Sequence, residues 1–460
     1  MSPAQLIGTI VKILVMVGFV VNVAALLTWY DRRGSAMMQD RVGPNRAMIK
    51  LPFIGELRIA GLLHTAADGV KFFFKEDFVP PNADKLLFAL APMLCMIPVI
   101  ALTAVIPMCD DICVSQFWAH GHEGIFFPAM LRSGVGCPYG APAHVVITGA
   151  VAPLDMGILF VFAFAGQGIV GAAIAGWASD NKFSLMGALR ASSQMVSYEV
   201  TMGISLIGAF MIYGTLRLDD MVRWQGENTW GIFVQPVAFF LFFAAAVAES
   251  KRIPFDLPEA ESELVSGYFT EYSGMKFGMF YFAEYMEVVT SSMLLVTIFL
   301  GGWNLPFFHR DGLTIAFGEE TLFHTNVPHV WMTIFGILAF FGKTLFLCWI
   351  QAFVRWSLPR FRYDQLMKLG WRVLLPLSLA NIFATGIGYL AIDHATAYVR
   401  GGFKVAGDVT QGVLALLLTL AIARLIYGFF SPVRHVRNVV GTSAEATAEE
   451  GGTKVLPMQA

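Results

Sequence analysis

Four features place ionisable side chains within or at the end of long apolar runs of this 460-residue sequence: Glu199, Glu249, the pair Glu284 and Glu287, and Lys343. A charge surrounded by lipid is costly and therefore faces a cavity or a partner. Glu284 and Glu287 are three residues apart, which puts them on one face of a helix. A carboxyl held away from water exchanges its proton nearer neutrality than one in solution. Glu199 and Glu284, joined by Glu249 at the end of a run, therefore point to a proton path. Glu287 and Lys343 suit a helix-to-helix salt bridge or a snorkelling side chain equally well.

Between two of the runs lies "AESKRIPFDLPEAESELVSGYFTEY", residues 248–272. It holds six carboxylates (Glu249, Asp256, Glu259, Glu261, Glu263 and Glu271) and two cations, Lys251 and Arg252. Clustered acids repel, so a change of charge at one is felt by the others. Arg252 and Lys251 can hold some of them ionised. Pro254, Phe255, Leu257 and Pro258 supply a stiff apolar frame, because proline restricts the chain. A loop of this kind can repack between two states and transmit an event. The plainer alternative is a solvated acidic loop that docks basic partner subunits.

The elements that must position these groups follow from hydropathy. Hydrophobic residues make up 56% of the chain and charged residues only 14%, against about 25% charged in an ordinary soluble domain. Lipid must replace water as solvent for much of the surface. The net charge of −2 carries no signature of nucleic acid or acidic substrates. Nine runs approach the roughly 20 apolar residues of a spanning helix: 6–29, 86–107, 146–177, 190–213, 231–249, 281–302, 330–353, 372–397 and 411–430. Helices are expected, because lipid cannot satisfy open strands and no ten-residue period-two pattern marks a barrel. The expectation is an all-α polytopic bundle, one membrane domain over 1–430. Residues 431–460 form a tail, small and polar towards its end, as disordered segments are. The first run is too long for a cleavable signal peptide and lacks a small-residue cleavage site.

Lys and Arg concentrate in the odd-numbered connections. Nine lie in the first alone, against six in the four even connections together. The positive-inside rule then puts the N-terminus in the periplasm and the acidic stretch in the cytoplasm. Within the first connection, Gly61 to Lys75 forms an amphipathic pattern. His64, Asp68, Lys71 and Lys75 fall within about 60° of one another on an ideal helix, opposite Leu62, Leu63, Ala66, Val70, Phe73 and Phe74. Such a helix lies at the membrane surface or against other helices, and its mixed-sign stripe asks for more than a lipid anchor.

Several activities are excluded by motif. There is no Walker A, no GxGxxG after a strand, no HExxH and no nucleophile elbow. The five cysteines (Cys95, Cys109, Cys113, Cys137 and Cys348) include no CxxC pair, which disfavours an iron–sulfur or zinc site. Any electron must come from another subunit. Cys109, Cys113 and Cys137 share the connection after the second run, where a disulfide is allowed if that face is periplasmic; spacing does not select a pair.

The block "AESKRIPFDLPEAESELVSGYFTEYSGMKFGMFYFAEY" (248–285) resembles the H subunit of bacterial respiratory complex I, the NADH:quinone oxidoreductase, and its mitochondrial ND1 counterpart. In the same order stand "QDRVGPNR" (39–46), "ADGVKFFFKED" (67–77), "GWASDNKFSLMGALRASSQMVSYEV" (176–200) and "LPRFRYDQLMKLGWRVLLPLSLANI" (358–382), each similar to a family motif. The resemblance implies a multi-pass subunit of the bacterial inner membrane that walls a quinone chamber and holds no redox centre. Quinone is then the substrate. NADH, FMN and iron–sulfur clusters belong to partner subunits, and lipid and the other complex I subunits are the contacts. It implies a coupling role for Asp68, Glu199, Glu249, Asp256, Glu259, Glu261, Glu263, Glu271 and Glu284. It places Arg41, Lys71, Glu76, Arg252, Phe255 and Asp256 at or near the chamber.

The sequence departs from the family pattern at identifiable points. Asp31 stands where Glu is usual, Ser250 and Lys251 replace Thr-Asn, and Glu287 replaces a small or amide residue. The connection after the second run carries an insertion over about 108–144, the 303–329 connection is long, and the run 411–430 follows the usual last span. Competing readings are a stand-alone ion-coupled transporter built on the buried carboxylates and Lys343, the membrane subunit of a related energy-converting hydrogenase, and an assembly scaffold. The transporter would be favoured by inverted repeats, and none is evident between the halves. The hydrogenase relatives lack the full ESELVSGYFTEYSGM block, and membrane-buried acids are a costly feature for a scaffold.

Overall fold

The structure, a computed structural model, describes residues 3–51, 55–57, 61–115, 144–257, 266–309, 312–317, 320–325, 327, 329–394 and 397–430. The chain is dominated by helices: α1 (Pro3–Met38), α2 (Leu63–Phe74), α3 (Lys85–Leu102), α4 (Gly157–Ala178), α5 (Lys182–Tyr213), α6 (Leu218–Glu227), α7 (Gly231–Val234), α8 (Pro236–Glu249), α9 (Gly274–Phe299), α10 (His329–Ser357), α11 (Tyr363–Lys368), α12 (Leu375–Asp393) and α13 (Ala397–Phe430). A π-helical turn, Leu369–Leu374, joins α11 to α12. Among the described residues, seven helical segments are long and apolar enough to cross a membrane: Leu6–Met38, Lys85–Leu102, Gly157–Ala178, Lys182–Tyr213, Gly274–Phe299, Trp331–Ser357 and Tyr363–Ile392. The protein is an all-α, multi-pass membrane protein.

Helix ends follow local chemistry. Asp84 caps α3 by accepting from the backbone N–H of Leu86 and Leu87, and Asn181 caps α5 by accepting from Phe183. Both satisfy donors that a helix start leaves free. Gly214 closes α5 at φ +67°, a left-handed position that glycine occupies without strain. Pro92 and Pro98 lie inside α3, as spanning helices tolerate when neighbours cover the freed carbonyls.

At the centre stands α9, packed against α1, α3, α8, α10 and the surface helix α2. Every residue from Ala283 to Phe299 except Glu287 is buried. On α12, by contrast, Phe383, Ile387 and Leu390 stay exposed, as a lipid-facing stripe requires.

Seven of the nine expected spans are matched by helices long and apolar enough to cross a membrane; the fifth and ninth are not among them. The third begins at Gly157 rather than 146, because 144–147 pair as a strand with Ile112–Ser115 and Pro153 follows. The fifth is broken: Gln235 leaves helical geometry at ψ +57° and α8 restarts on Pro236, consistent with the restriction on a residue preceding proline. Its 14 residues are too short to count among the seven. The ninth run lies inside the longer α13. The long 303–329 connection carries a three-stranded antiparallel sheet, Phe308–His309, Gly312–Phe317 and Glu320–Thr325. The described residues up to Gly412 belong to one compact unit, and 413–430, which belong to a second, are helical. Most of the 108–144 insertion lies outside the described residues.

Candidate functional site

The segment after α8 turns sharply. Lys251 adopts φ +55° and Ile253–Pro254 is a cis peptide. Phe255 N–H donates to Arg252 O (2.7 Å) and Phe361 N–H to Pro254 O (3.1 Å). Gln194 of α5 donates to Ala248 O and Phe255 O, 2.8 Å each. Phe255 is buried with its ring 5.6 Å from that of Tyr198 and 5.5 Å from that of Phe361. The turn is thereby pinned to α5 on one side and to the connection before α11 on the other.

This turn carries the first ionic cluster. Asp31 near the end of α1, 5% exposed, accepts at one oxygen from Arg252 (2.8 Å), Arg355 (2.5 Å) and the Tyr285 hydroxyl (2.8 Å). The Arg252 guanidinium also lies 3.5 Å from the Tyr285 ring centroid, a stacked cation–π geometry. Nearby Asp256 accepts from Arg360 at 2.9 Å. Burial raises the Asp256 carboxyl to about 6, with the opposing pull of Arg360 the next largest effect. Asp31 Oδ1, Arg252 Nε and Asp256 Oδ1 are buried without a hydrogen-bond partner among the described residues.

A second cluster sits deeper. Glu284 is 4% exposed and accepts from the Tyr268 hydroxyl at 3.0 Å. Lys251 Nζ is 3.7 Å from Glu287. Glu249 and Glu287 line a small cavity of about 30 Å³ with Thr290, Ser291 and apolar residues of α3, α4, α5 and α8, room for a water molecule. The acids form a string in which each feels the charge of the next: Asp256 with Glu284, Glu284 with Glu287, Glu287 with Glu249, and Glu249 with Glu199.

Against the α1 and α9 walls lies α2. Asp68 binds Arg32 of α1 at 2.5 Å and Lys71 at 3.4 Å. A mainly apolar cleft of about 240 Å³ runs between α1, α2 and α9, lined by Arg32, Asp68, Phe72, Phe73, Tyr281 and Phe282 among others. Tyr281 connects it to the ionic cluster, since its hydroxyl is 3.1 Å from that of Tyr285.

The remaining expected residues sit apart. Arg41 is exposed and donates to Gln39. Glu76 is exposed, and its backbone carbonyl accepts from Ser273. Glu271 accepts from Asn181 at 2.6 Å, tying the loop to the start of α5. Glu259, Glu261 and Glu263 lie outside the described residues. Lys343 donates to the carbonyls of Leu300, Gly302 and Asn304 at 2.6–3.0 Å and stands 4.2 Å from the Trp230 ring. It neutralises the carbonyl-rich end of α9 and has no carboxylate partner among the described residues. Cys95, Cys109 and Cys348 are free, buried thiols. No cluster of His, Cys, Asp or Glu suited to a metal occurs among the described residues.

A family model described as NADH dehydrogenase matches residues 11–386. The NADH-quinone oxidoreductase H subunit 1 of Cytophaga hutchinsonii is 41% identical over 364 residues, 79% of this chain and 91% of its own length. The corresponding H subunit of Flavobacterium psychrophilum is 40% identical over 84% of this chain and 98% of its own length. That of Thermomicrobium roseum is 41% identical over 81% and 94%. The chain belongs to the family of NADH-quinone oxidoreductase H subunits. Every ionic group of the two clusters lies inside the matched span, whereas α13 lies beyond it. In this member of the family, sequence reasoning passed over Asp31, Arg355 and Arg360 as site residues. Their signal was available in kind: each is a charge at the end of an apolar helix or just past it, but nothing local named its partner.

Proposed function

We propose that this chain is the inner-membrane subunit of an NADH-quinone oxidoreductase that walls the quinone chamber and couples quinone reduction to proton movement. The cleft between α1, α2 and α9 is the chamber's opening to lipid, and the turn at 252–256 is its inner wall. One observation carries the reading: the cleft, through Tyr281 and Tyr285, joins Asp31–Arg252, and the next residue, Lys251, joins the buried acids.

Reduction of quinone to quinol takes two electrons and two protons. The electrons come from iron–sulfur clusters of a partner subunit, which in turn is fed by NADH and FMN. This chain supplies a dry, shaped wall and charge. Arg252 Nε can donate to a quinone carbonyl, and Asp256 Oδ1 can accept from a quinol hydroxyl. A charge appearing in the chamber shifts the protonation balance at Asp256, and the shift passes along Glu284, Glu287, Glu249 and Glu199 because water is scarce there. Asp68 holds α2 to α1 at the opening; Lys71 pairs with it. Glu271 fixes the loop. The acidic loop faces the cytoplasm, following the excess of Lys and Arg in the odd connections. Lys343, caged by carbonyls, gives the transporter alternative no ion path.

The test is Glu284→Gln and Glu199→Gln in membranes. Each should lower quinone reductase activity and proton pumping by at least about tenfold with the complex still assembled. Unchanged coupled activity in both would refute the coupling role.

A further inference from the structure

Lys251 and Arg252 are neighbours that reach in two directions. Arg252 pairs with Asp31 and stacks on Tyr285, on the chamber side. Lys251 turns inward to the acids. Its side chain is 5% exposed, its ammonium lies 3.7 Å from Glu287 and 5.8 Å from the Tyr268 ring centroid, and it acts electrostatically on Glu249. Tyr268 in turn donates to Glu284. The ammonium therefore stands among three of the buried carboxylates.

The backbone at this point is specialised. Lys251 follows the Ser250 cap of α8 at φ +55°, the left-handed region where glycine or asparagine is the usual occupant. Glu287 is the one residue between Ala283 and Phe299 that is not fully buried. Lys251 and Glu287 come from different elements, the turn and α9. They are 36 positions apart in the chain and meet in space.

We propose that Lys251 is a positioning residue that works only with Glu287, carrying movement of the acidic turn into the charge balance of the buried acids. The proposal rests on the coupling reading above. Lys251 belongs to the turn, whereas Glu287 and Glu284 belong to the rigid, enclosed α9. A shift of the turn at Arg252 or Asp256 moves the ammonium relative to carboxylates that stay fixed. The string gains or loses a cation at its centre, and protons redistribute among Glu284, Glu287 and Glu249. Neither residue does this alone: a half-buried Glu287 or a buried Lys251 without its partner leaves an uncompensated charge.

A double-mutant cycle on the assembled complex in membranes tests this, with Lys251→Asn, Glu287→Gln and the double variant, and Lys251→Arg as the charge-preserving control. The readout is protons translocated per quinone reduced, normalised to assembled complex. Each single change should lower the ratio by about threefold or more, while the double should lose no more than the worse single, a non-additivity expected of contacting charges. Lys251→Arg should hold the parent ratio. Additive losses in the double, or singles with the parent ratio, would overturn the proposal. A merely structural ion pair would lower assembly and turnover together and leave the ratio unmoved, which also overturns it. Should Lys251→Asn fail to assemble, Glu287→Gln is compared with the double: no further loss on adding the second change supports the pairing and further loss refutes it. Glu284→Gln and Glu199→Gln run alongside. If those leave coupling intact, the coupling reading itself falls; if they depress it while the cycle is additive, only this inference falls.

Discussion

Replacing Asp31 by asparagine should release the turn at 252–256 from α1. One oxygen of Asp31 accepts from two guanidiniums and a phenol, and the residue is 5% exposed. Asparagine removes the anion and can turn its amide N–H donors towards two guanidiniums that can only donate. Breaking a buried ion pair at one partner costs about 3–5 kcal/mol. Arg355 is 33% exposed and Arg252 only 15%, so the Arg252 pair carries the larger part. Asp31→Glu keeps the charge and adds one methylene, at a cost of about 1–3 kcal/mol for overpacking. The assay is the temperature at which the assembled complex loses quinone reductase activity, together with its amount on a native gel. Asp31→Asn should inactivate well below the parent and assemble poorly, with Asp31→Glu between them. Asp31→Asn at the parent's temperature would refute the reasoning. Equal damage from the two variants would show that shape, not charge, holds the turn.

Asp256 gives a pH signature. Its carboxyl is raised from 3.8 to about 6 by burial, so the folded chain holds this proton more tightly than the unfolded chain. The associated stability is full below about pH 4 and falls as pH rises through 6, by about 3 kcal/mol in all. Asp256→Asn should flatten that slope of thermal inactivation against pH and slow quinone reduction; a parent-like slope or normal turnover would remove Asp256 from the site. A Cβ at Gly187 would lie 2.7 Å from Gly267 Cα and 2.8 Å from Tyr268 N, so Gly187→Ala should displace the segment bearing Tyr268, cost about 1–3 kcal/mol and lower activity per complex. Lys343→Met should leave the carbonyls of Leu300, Gly302 and Asn304 without their donor, costing about 1–3 kcal/mol of stability, while the proton-to-quinone ratio stays at the parent value. A changed ratio would return Lys343 to the proton path.

The order of residues along the chain is enough to specify the solvent, the helices and the family. Lipid demands long apolar runs and internally satisfied backbones, so α1, α3, α5, α9 and α10 are legible from hydropathy, and α2 from its period. It also determined which side chains are chemically out of place, because a carboxyl in an apolar run needs no partner to be conspicuous: Glu199, Glu249 and Glu284 stand out unaided. What each charge does depends on how the helices pack. Lys343 and Glu287 are equally anomalous in sequence, yet one is absorbed by the carbonyls at the end of its neighbour helix and the other meets Lys251. Asp31 and Arg355 are 324 positions apart, and their pairing depends on how α1 and α10 pack. Hydropathy is a local property and can be read along the chain. An ion pair is a property of two positions and a distance, and the distance exists only once the helices have packed.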